Sequence, residues 1–427
     1  MKIAEALALS LLLFPVASLA AGLEVGGTTI LRFEQRGAPG VSKATLVPAL
    51  QYLGLDADRL GNGNLSAHLF GWGRVDLADE SGAEGKSEGD LSHAFLSYRF
   101  ARANGEIKAG RFTLTEPGSF EYLDGVSARA DLAVKGVSTL LFAGAPVKGA
   151  GESSNRGDYL TGAQLSYRHP TRVFELAASL VREGGMQIDP AAAQEDYRQD
   201  VAADLLLAPF RGAELTGRTS YNTATGGLSE GSCRLGYRRE RLSVAALYQS
   251  YDLKHYYAAS SIPSLFNPNN GASYAVYGAE ATWRVSPLLE ANLDYRHYDR
   301  DLTGTSDRGG GMLRLNLAER GILSGLSYHR SASRRDGLNS YHELRGYCLY
   351  DKARLSASLD LIAQLYDNEI DSEKGAYQGV ASLGYRFYPE VALSADLSLA
   401  ANPRYDNEVK GLLRLVWNYQ TVIGAAK

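Results

Sequence analysis

The chain reads as an all-β protein, a transmembrane antiparallel up-and-down β-barrel of about 18–22 strands with both termini on the periplasmic side. Three observations point there: an export signal at the N-terminus, period-two alternation repeated along the whole chain, and connections that alternate between short and long. The last segment shows the alternation best. Val409, Gly411, Leu413, Leu415, Trp417 and Tyr419 fall on one side of a strand, and Lys410, Leu412, Arg414, Val416 and Asn418 on the other. Strand side chains point to opposite faces in turn, so one face is apolar with an aromatic end and the other carries charge.

The N-terminus has Lys2, an apolar run over 6–17 and a small-residue site, Ser18-Leu19-Ala20. This is the pattern of a secretory signal, and residues 1–20 are expected to be removed. No Cys follows the site, so no lipid anchor is expected there. The run is too short for a membrane helix, and no later segment is long and apolar enough for one. Residues 21–427 are expected to form a single barrel domain with no linker. The first strand, 23–36, begins directly after the signal, which leaves no room for an N-terminal plug domain.

Composition fits a barrel. The chain holds 46 Gly and 26 Tyr but only 3 Met and 3 Trp, and its formal net charge is -4. Every second strand residue of a barrel faces a wet interior, which keeps the chain moderately polar. There is no basic excess to suggest nucleic acid as a partner. Cys233 and Cys348 each sit on an apolar strand face and read as inert thiols facing lipid.

Tight breaks fall at Asn104-Gly105, His169-Pro170, Pro209-Phe210, Arg239-Glu240, Pro287, Glu319-Arg320, Lys352-Ala353 and Pro389, with looser ones near 135–136 and 58–64. Between them lie polar links at 79–90, 145–158, 182–196, 254–271, 331–340 and 366–375. Outer-membrane barrels sort their connections in this way, with short periplasmic turns and longer external loops. A soluble sandwich has no reason to. The pattern loosens over 113–145. The link 254–271, richest in aromatics and prolines, could fold inward as a constriction or cap the outside. The acidic links 79–90 and 366–374 match no calcium-loop spacing and read as solvated loops.

Charged residues in mid-strand must avoid lipid, where Arg or Lys costs about 2–4 kcal/mol at the midplane. The candidates for a lumen lining are therefore Arg99, Arg129, Arg218, Arg234, Arg238, Glu280, Arg284, Glu290, Asp294, Arg296, Arg314, Glu343, Arg345, Arg354, Asp360, Arg386, Asp396 and Arg414. Such a lining either sets solute preference or is simply a hydrated wall. Tyr98, Tyr237, Tyr295, Tyr385, Trp417 and Tyr419 are candidates for an interfacial aromatic girdle.

No catalytic constellation is present. The seven histidines are scattered without metal-ligand spacing, and His68 and His93 on polar faces read as solvated. No Cys-x-x-Cys-His or Gly-x-Ser-x-Gly occurs, so neither covalent haem nor a serine nucleophile is expected. The chain is read as a non-enzyme with no cofactor of its own.

The segment LSYRFARANGEIKAGRFTLTEPGSFEYLDGVSARA (96–130) resembles the strand–turn–strand passage of Gram-negative porin-like proteins. There, Tyr-Arg-Phe is followed by a short turn, Ala-Gly-Arg, a loop and Leu-Asp-Gly. The terminal strand resembles the assembly signal of such barrels, but eight residues follow Tyr419. The resemblance implies the outer membrane as location and lipid and the barrel assembly machinery as partners. It also implies a passage for small solutes or ions. In texture the chain also resembles the barrel of porin–cytochrome conduits in metal-reducing bacteria. That likeness implies an alternative, a sheath housing multihaem c-type cytochromes for extracellular electron transfer. A barrel of 22 strands would be roughly 40 Å across its backbone, so its lumen needs narrowing or filling.

Overall fold

The computed structural model describes residues 22–37, 44–61, 63–78, 86–100, 102–114, 121–147, 159–184, 197–252, 255, 273–301, 304–334, 340–403 and 405–421. The signal segment 1–20 and most of the links 79–90, 145–158, 182–196 and 254–271 lie outside them.

One antiparallel sheet contains every strand. It opens with β1 (Gly22–Gly37), β2 (Ala44–Leu46) and β3 (Pro48–Leu60). β2 and β3 both pair with β1 and are two pieces of one stave, split at Val47. The first hairpins continue with β4 (Leu65–Asp76), β5 (Ser87–Phe100), β6 (Gly105–Leu114), β7 (Glu121–Asp131), β8 (Val137–Pro146), β9 (Tyr159–Arg168) and β10 (Phe174–Gly184). Then come β11 (Tyr197–Leu207), β12 (Ala213–Asn222), β13 (Gly227–Arg239), β14 (Leu242–Asp252), β15 (Ser273–Arg284), β16 (Leu289–Arg300) and β17 (Ser306–Leu317). β18 (Ile322–Ser333), β19 (Tyr341–Lys352), β20 (Leu355–Ile370), β21 (Glu373–Tyr388), β22 (Val391–Asn402) and β23 (Tyr405–Thr421) complete the sheet.

Each stave pairs with the next, and β23 returns to β1 from Leu23↔Thr421 to Gly37↔Asn407. The sheet is therefore a closed barrel of 22 staves without a free edge. Both described ends, Gly22 and Thr421, lie at the end of the barrel that carries the ten short turns. No α-helix occurs among the described residues.

One expected link differs. Residues 366–375 are not a loop: β20 and β21 run on and meet in a two-residue turn at Asp371 (φ 48) and Ser372 (φ 69). The ladder shifts register between Leu365 and Ile370, and this irregularity hides the continuing strands from a period-two reading. Two further bulges, at Ser92 and Ser229, flip the alternation inside β5 and β13.

The described parts of the loose region 113–145 form regular strands, β6 to Leu114, β7 and β8. Its alternation is weak because both faces are apolar there. Phe112, Leu114, Leu123, Leu140, Phe142, Leu160 and Val181 form a buried cluster on the face that elsewhere carries charge. Beside it runs a row of glycines in direct register, Gly110↔Gly125↔Gly144. A Cβ at Gly125 would lie 2.2 Å from the Ala143 carbonyl oxygen, and one at Gly144 2.4 Å from that of Asp124. Gly110 has φ +124, which L side chains rarely adopt. The three strands approach one another here too closely for any side chain. Gly125→Ala is expected to abolish the compact, heat-sensitive band of the folded barrel on unheated gels. Gly217→Ala, whose Cβ would meet nothing nearer than 3.5 Å, is expected to leave that band intact.

Candidate functional site

Register decides which side chains share a face, because residues directly opposite in a ladder point the same way. One face carries the exposed large apolar residues, among them Leu293 (64%), Leu383 (58%), Leu359 and Leu413. The other carries the charges. A cavity of about 1000 Å³ opens at the short-turn end and is bounded by that second face, including Arg129, Gln164, Asp204, Arg218, Arg234 and Gln249. The charged face is thus the concave, inner one.

Its densest network spans β16 to β20. Asp294, Gly310, His329, Glu343 and Gln364 lie in one row, each opposite the next. His329 is 9% exposed, and its imidazole crosses β17 to reach Asp294, Nε2 to Oδ1 2.8 Å. It can do so because Gly310 has no side chain. A Cβ there would lie 2.4 Å from the imidazole Cδ2. Arg308 donates to Asp294 (3.5 Å) and to Glu343 (3.2 Å), and Gln364 donates to the other Glu343 oxygen (3.2 Å). Two carboxylates are so held by one guanidinium, one imidazole and one amide.

Next to it, Glu280 accepts from Arg234 (2.5 Å) and Arg296 (3.3 Å), so one carboxylate serves two arginines from strands on either side of it. Simple pairs complete the wall: Arg314–Glu290 (3.3 Å), Arg414–Asp396 (3.7 Å), Arg218–Glu230 (3.4 Å) and Arg99–Glu106 (3.6 Å). Arg345 meets Asp360 through Nε at 2.9 Å. With half of the Arg345 side chain exposed, solvent screening limits that pair to about 1 kcal/mol or less.

Of the eighteen expected lining residues, seventeen fall on this inner face by register, and Arg354 sits in the turn between β19 and β20. Arg129, Arg238, Arg284, Arg354 and Arg386 have no ion-pair partner among the described residues, and all five are close to the short-turn end. The six girdle candidates all fall on the apolar face. Tyr98, Tyr237, Tyr385, Trp417 and Tyr419 cluster toward the short-turn end, whereas Tyr295 lies farther up and donates to Asp307 (2.6 Å). Cys233 and Cys348 are free and exposed on the same apolar face.

Sequence reasoning missed Arg308 and His329, the center of the main network. Arg308 precedes the run Gly309-Gly310-Gly311, which interrupts alternation, and His329 gains meaning only from its neighbors two strands away. It also missed the aromatic side chains of β3–β6, because apolar residues on an inner face look like noise in an alternating pattern.

No protein-family model matches the chain, and no curated protein matches its sequence. Solved structures do match. The ferric enterobactin receptor of Pseudomonas aeruginosa aligns over 93% of this chain and 80% of its own, at 11% identity and a TM-score of 0.58. The siderophore receptor PirA of the same organism aligns over 92% and 80%, at 12% identity and 0.58. OccAB4 of Acinetobacter baumannii aligns over 93% and 98%, at 8% identity and 0.46. At this identity the likeness to the two receptors establishes the fold: a large closed β-barrel.

Gly310→Ala is expected to displace His329 from Asp294 and to lower the barrel's stability by about 1–3 kcal/mol, read from urea unfolding in detergent. The control is Gly346→Ala, where a Cβ would meet only Leu326 Cδ1 at 3.8 Å, and it is expected to leave the unfolding midpoint in place.

Proposed function

We propose that the chain is an outer-membrane pore protein that gives small solutes or ions an aqueous passage, and that it has no enzymatic role. The apolar face meets lipid, the charged face surrounds water, and the short turns and both termini lie in the periplasm. One observation carries this reading. Ion pairs in the middle of strands line much of one face of a closed sheet, while exposed Leu and Tyr side chains cover the other. In a water-soluble protein that arrangement would leave the apolar surface in water, where an extended patch is costly. In a bilayer both faces have their preferred surroundings.

The inner wall is mixed in sign rather than uniformly basic, so a single charge does not govern passage. The networks around Glu280 and Glu343 instead put fixed charges of both signs side by side along the wall. The conduit alternative, in which multihaem cytochromes fill the barrel, gains nothing from these contacts or from the structural neighbors. The link 254–271, read as a constriction or a cap, is outside the described residues except for His255. That residue folds back so that its backbone oxygen accepts from Asn222 (3.1 Å).

Purified protein in a planar bilayer is expected to give discrete ion currents. Arg308→Ala, which leaves two carboxylates without their shared cation, is expected to shift the reversal potential in a salt gradient toward cation selectivity. Steady currents that are the same in wild type and variant would place Arg308 away from the ion path. On the outer face, Leu293→Arg is expected to cost about 2–4 kcal/mol and to reduce assembly into membranes, whereas Asn292→Arg on the inner face is tolerated.

A further inference from the structure

We propose that the inner wall formed by β23, β1, β3, β4 and β5 holds a binding site for a neutral sugar ring. The proposal rests on the pore reading to the extent that this wall must be open to solutes.

Three register rows build the site. The middle one runs Asn418↔Gly26↔Gly54↔Phe70↔His93. Below it lie Glu24↔Asp56↔His68↔Phe95, and above it Thr28↔Tyr52↔Trp72. Gly26 and Gly54 make a floor without side chains. A Cβ at Gly26 would meet nothing nearer than 3.5 Å, and Phe70 lies against Gly54. On one side rise two stacks, Tyr52–Phe70 at 6.2 Å and 20° with Phe70–His93 at 5.5 Å and 19°, and His68–Phe95 at 4.7 Å and 24°, the two meeting at His93–Phe95 with a tilt of 52°. On the other side stands Asn418. Its amide nitrogen donates to Glu24 (2.7 Å), but its buried oxygen has no hydrogen-bond partner and lies 3.6 Å from the Cβ position of Gly26. An acceptor without a partner is costly in a protein interior unless something else supplies a donor.

Core packing does not account for this wall. The adjacent cluster of Phe112, Leu123 and Leu160 is buried to within about one per cent of completely, whereas Tyr52, Phe70, Trp72 and His93 remain partly exposed on a face that otherwise carries charge. The partly exposed Tyr52, Phe70 and His93 rings, nearly parallel to one another, offer apolar surface to the C–H face of a pyranose. Asn418, Glu24 and Asp56 offer acceptors for its hydroxyls. The carboxylates beside the floor disfavor the obvious competitor, an aromatic or aliphatic carboxylate. Glu24 and Asp56 border the floor, and the nearby cations have carboxylate neighbors, Lys108 with Glu106 (3.5 Å) and Arg74 with Glu88 (3.0 Å), although the buried Nε and Nη2 of Arg74 make no hydrogen bond among the described residues.

The test is isothermal titration of the full chain in detergent with maltotriose, benzoate and benzylammonium. Maltotriose is expected to bind, and Phe70→Ala and Asn418→Ala are each expected to weaken it about tenfold, which is about 1.4 kcal/mol. Gly26→Leu fills an open floor, so it tests the site even if Phe70→Ala does not fold, and it is expected to abolish binding. Phe387→Ala, on the outer face, is expected to change nothing. The inference is overturned by absence of maltotriose binding, by unchanged affinity in Gly26→Leu, or by preferential binding of either charged probe. Because the readout needs no current, a conducting barrel that ignores maltotriose would refute the sugar site and leave the pore reading standing. A barrel that binds maltotriose without conducting would do the reverse.

Discussion

Everything in this molecule depends on the pairing of its first long strand with its last. In hydrocarbon every backbone N–H and C=O needs a partner from the protein itself, and an open sheet cannot supply partners along its two edges. The ladder from Leu23↔Thr421 to Gly37↔Asn407 removes both edges at once. Closure also creates an inside and an outside, and only then does the alternation along each strand acquire two different surroundings. The same closure explains why single residues can matter far from any site. A one-residue slip anywhere would turn a whole stave inside out.

Most of the barrel was legible in the sequence because its rule is short-range. β16, β20 as far as Leu365, β22 as far as Ala400 and β23 from Glu408 alternate without interruption, and register puts their alternate residues on the faces the pattern indicated. The failures are equally local. Bulges at Ser92 and Ser229 reverse the pattern within a strand, and the irregular stretch after Leu365 made two continuing strands look like a loop. Over β6–β10 the cluster around Phe112 and Leu123 makes part of the inner face apolar, so there is little contrast to read there. The site was half legible. Charges could be assigned to a face, but which of them meet depends on partners 14 to 46 residues away, as with Arg308–Asp294 and Arg234–Glu280.

The inner wall divides into unlike sectors. From β11 round to β23 it is a lattice of ion pairs, in which most carboxylates have a cation from a neighboring strand. From β3 to β10 it also carries an aromatic and aliphatic band, first partly exposed and then fully buried beside the glycine row, with ion pairs such as Arg99–Glu106 and Arg74–Glu88 around it. The inner apolar side chains are thus gathered on one side of the wall, whereas charges occur on both. Glycine has two distinct uses in this plan. At Gly110, Gly125 and Gly144 it lets strands crowd together, and at Gly310 it lets one side chain reach across a strand to another.

The most direct test of the account is an accessibility scan along β20. With Cys233 and Cys348 replaced by Ser, single spin-labelled cysteines at positions 358 to 363 would be reconstituted in bilayers and exposed to oxygen, which concentrates in lipid, and to a water-soluble nickel chelate. The account predicts collision rates that alternate residue by residue, with oxygen favored at 359, 361 and 363 and nickel at 358, 360 and 362. Equal access to both reagents at all six positions would contradict it.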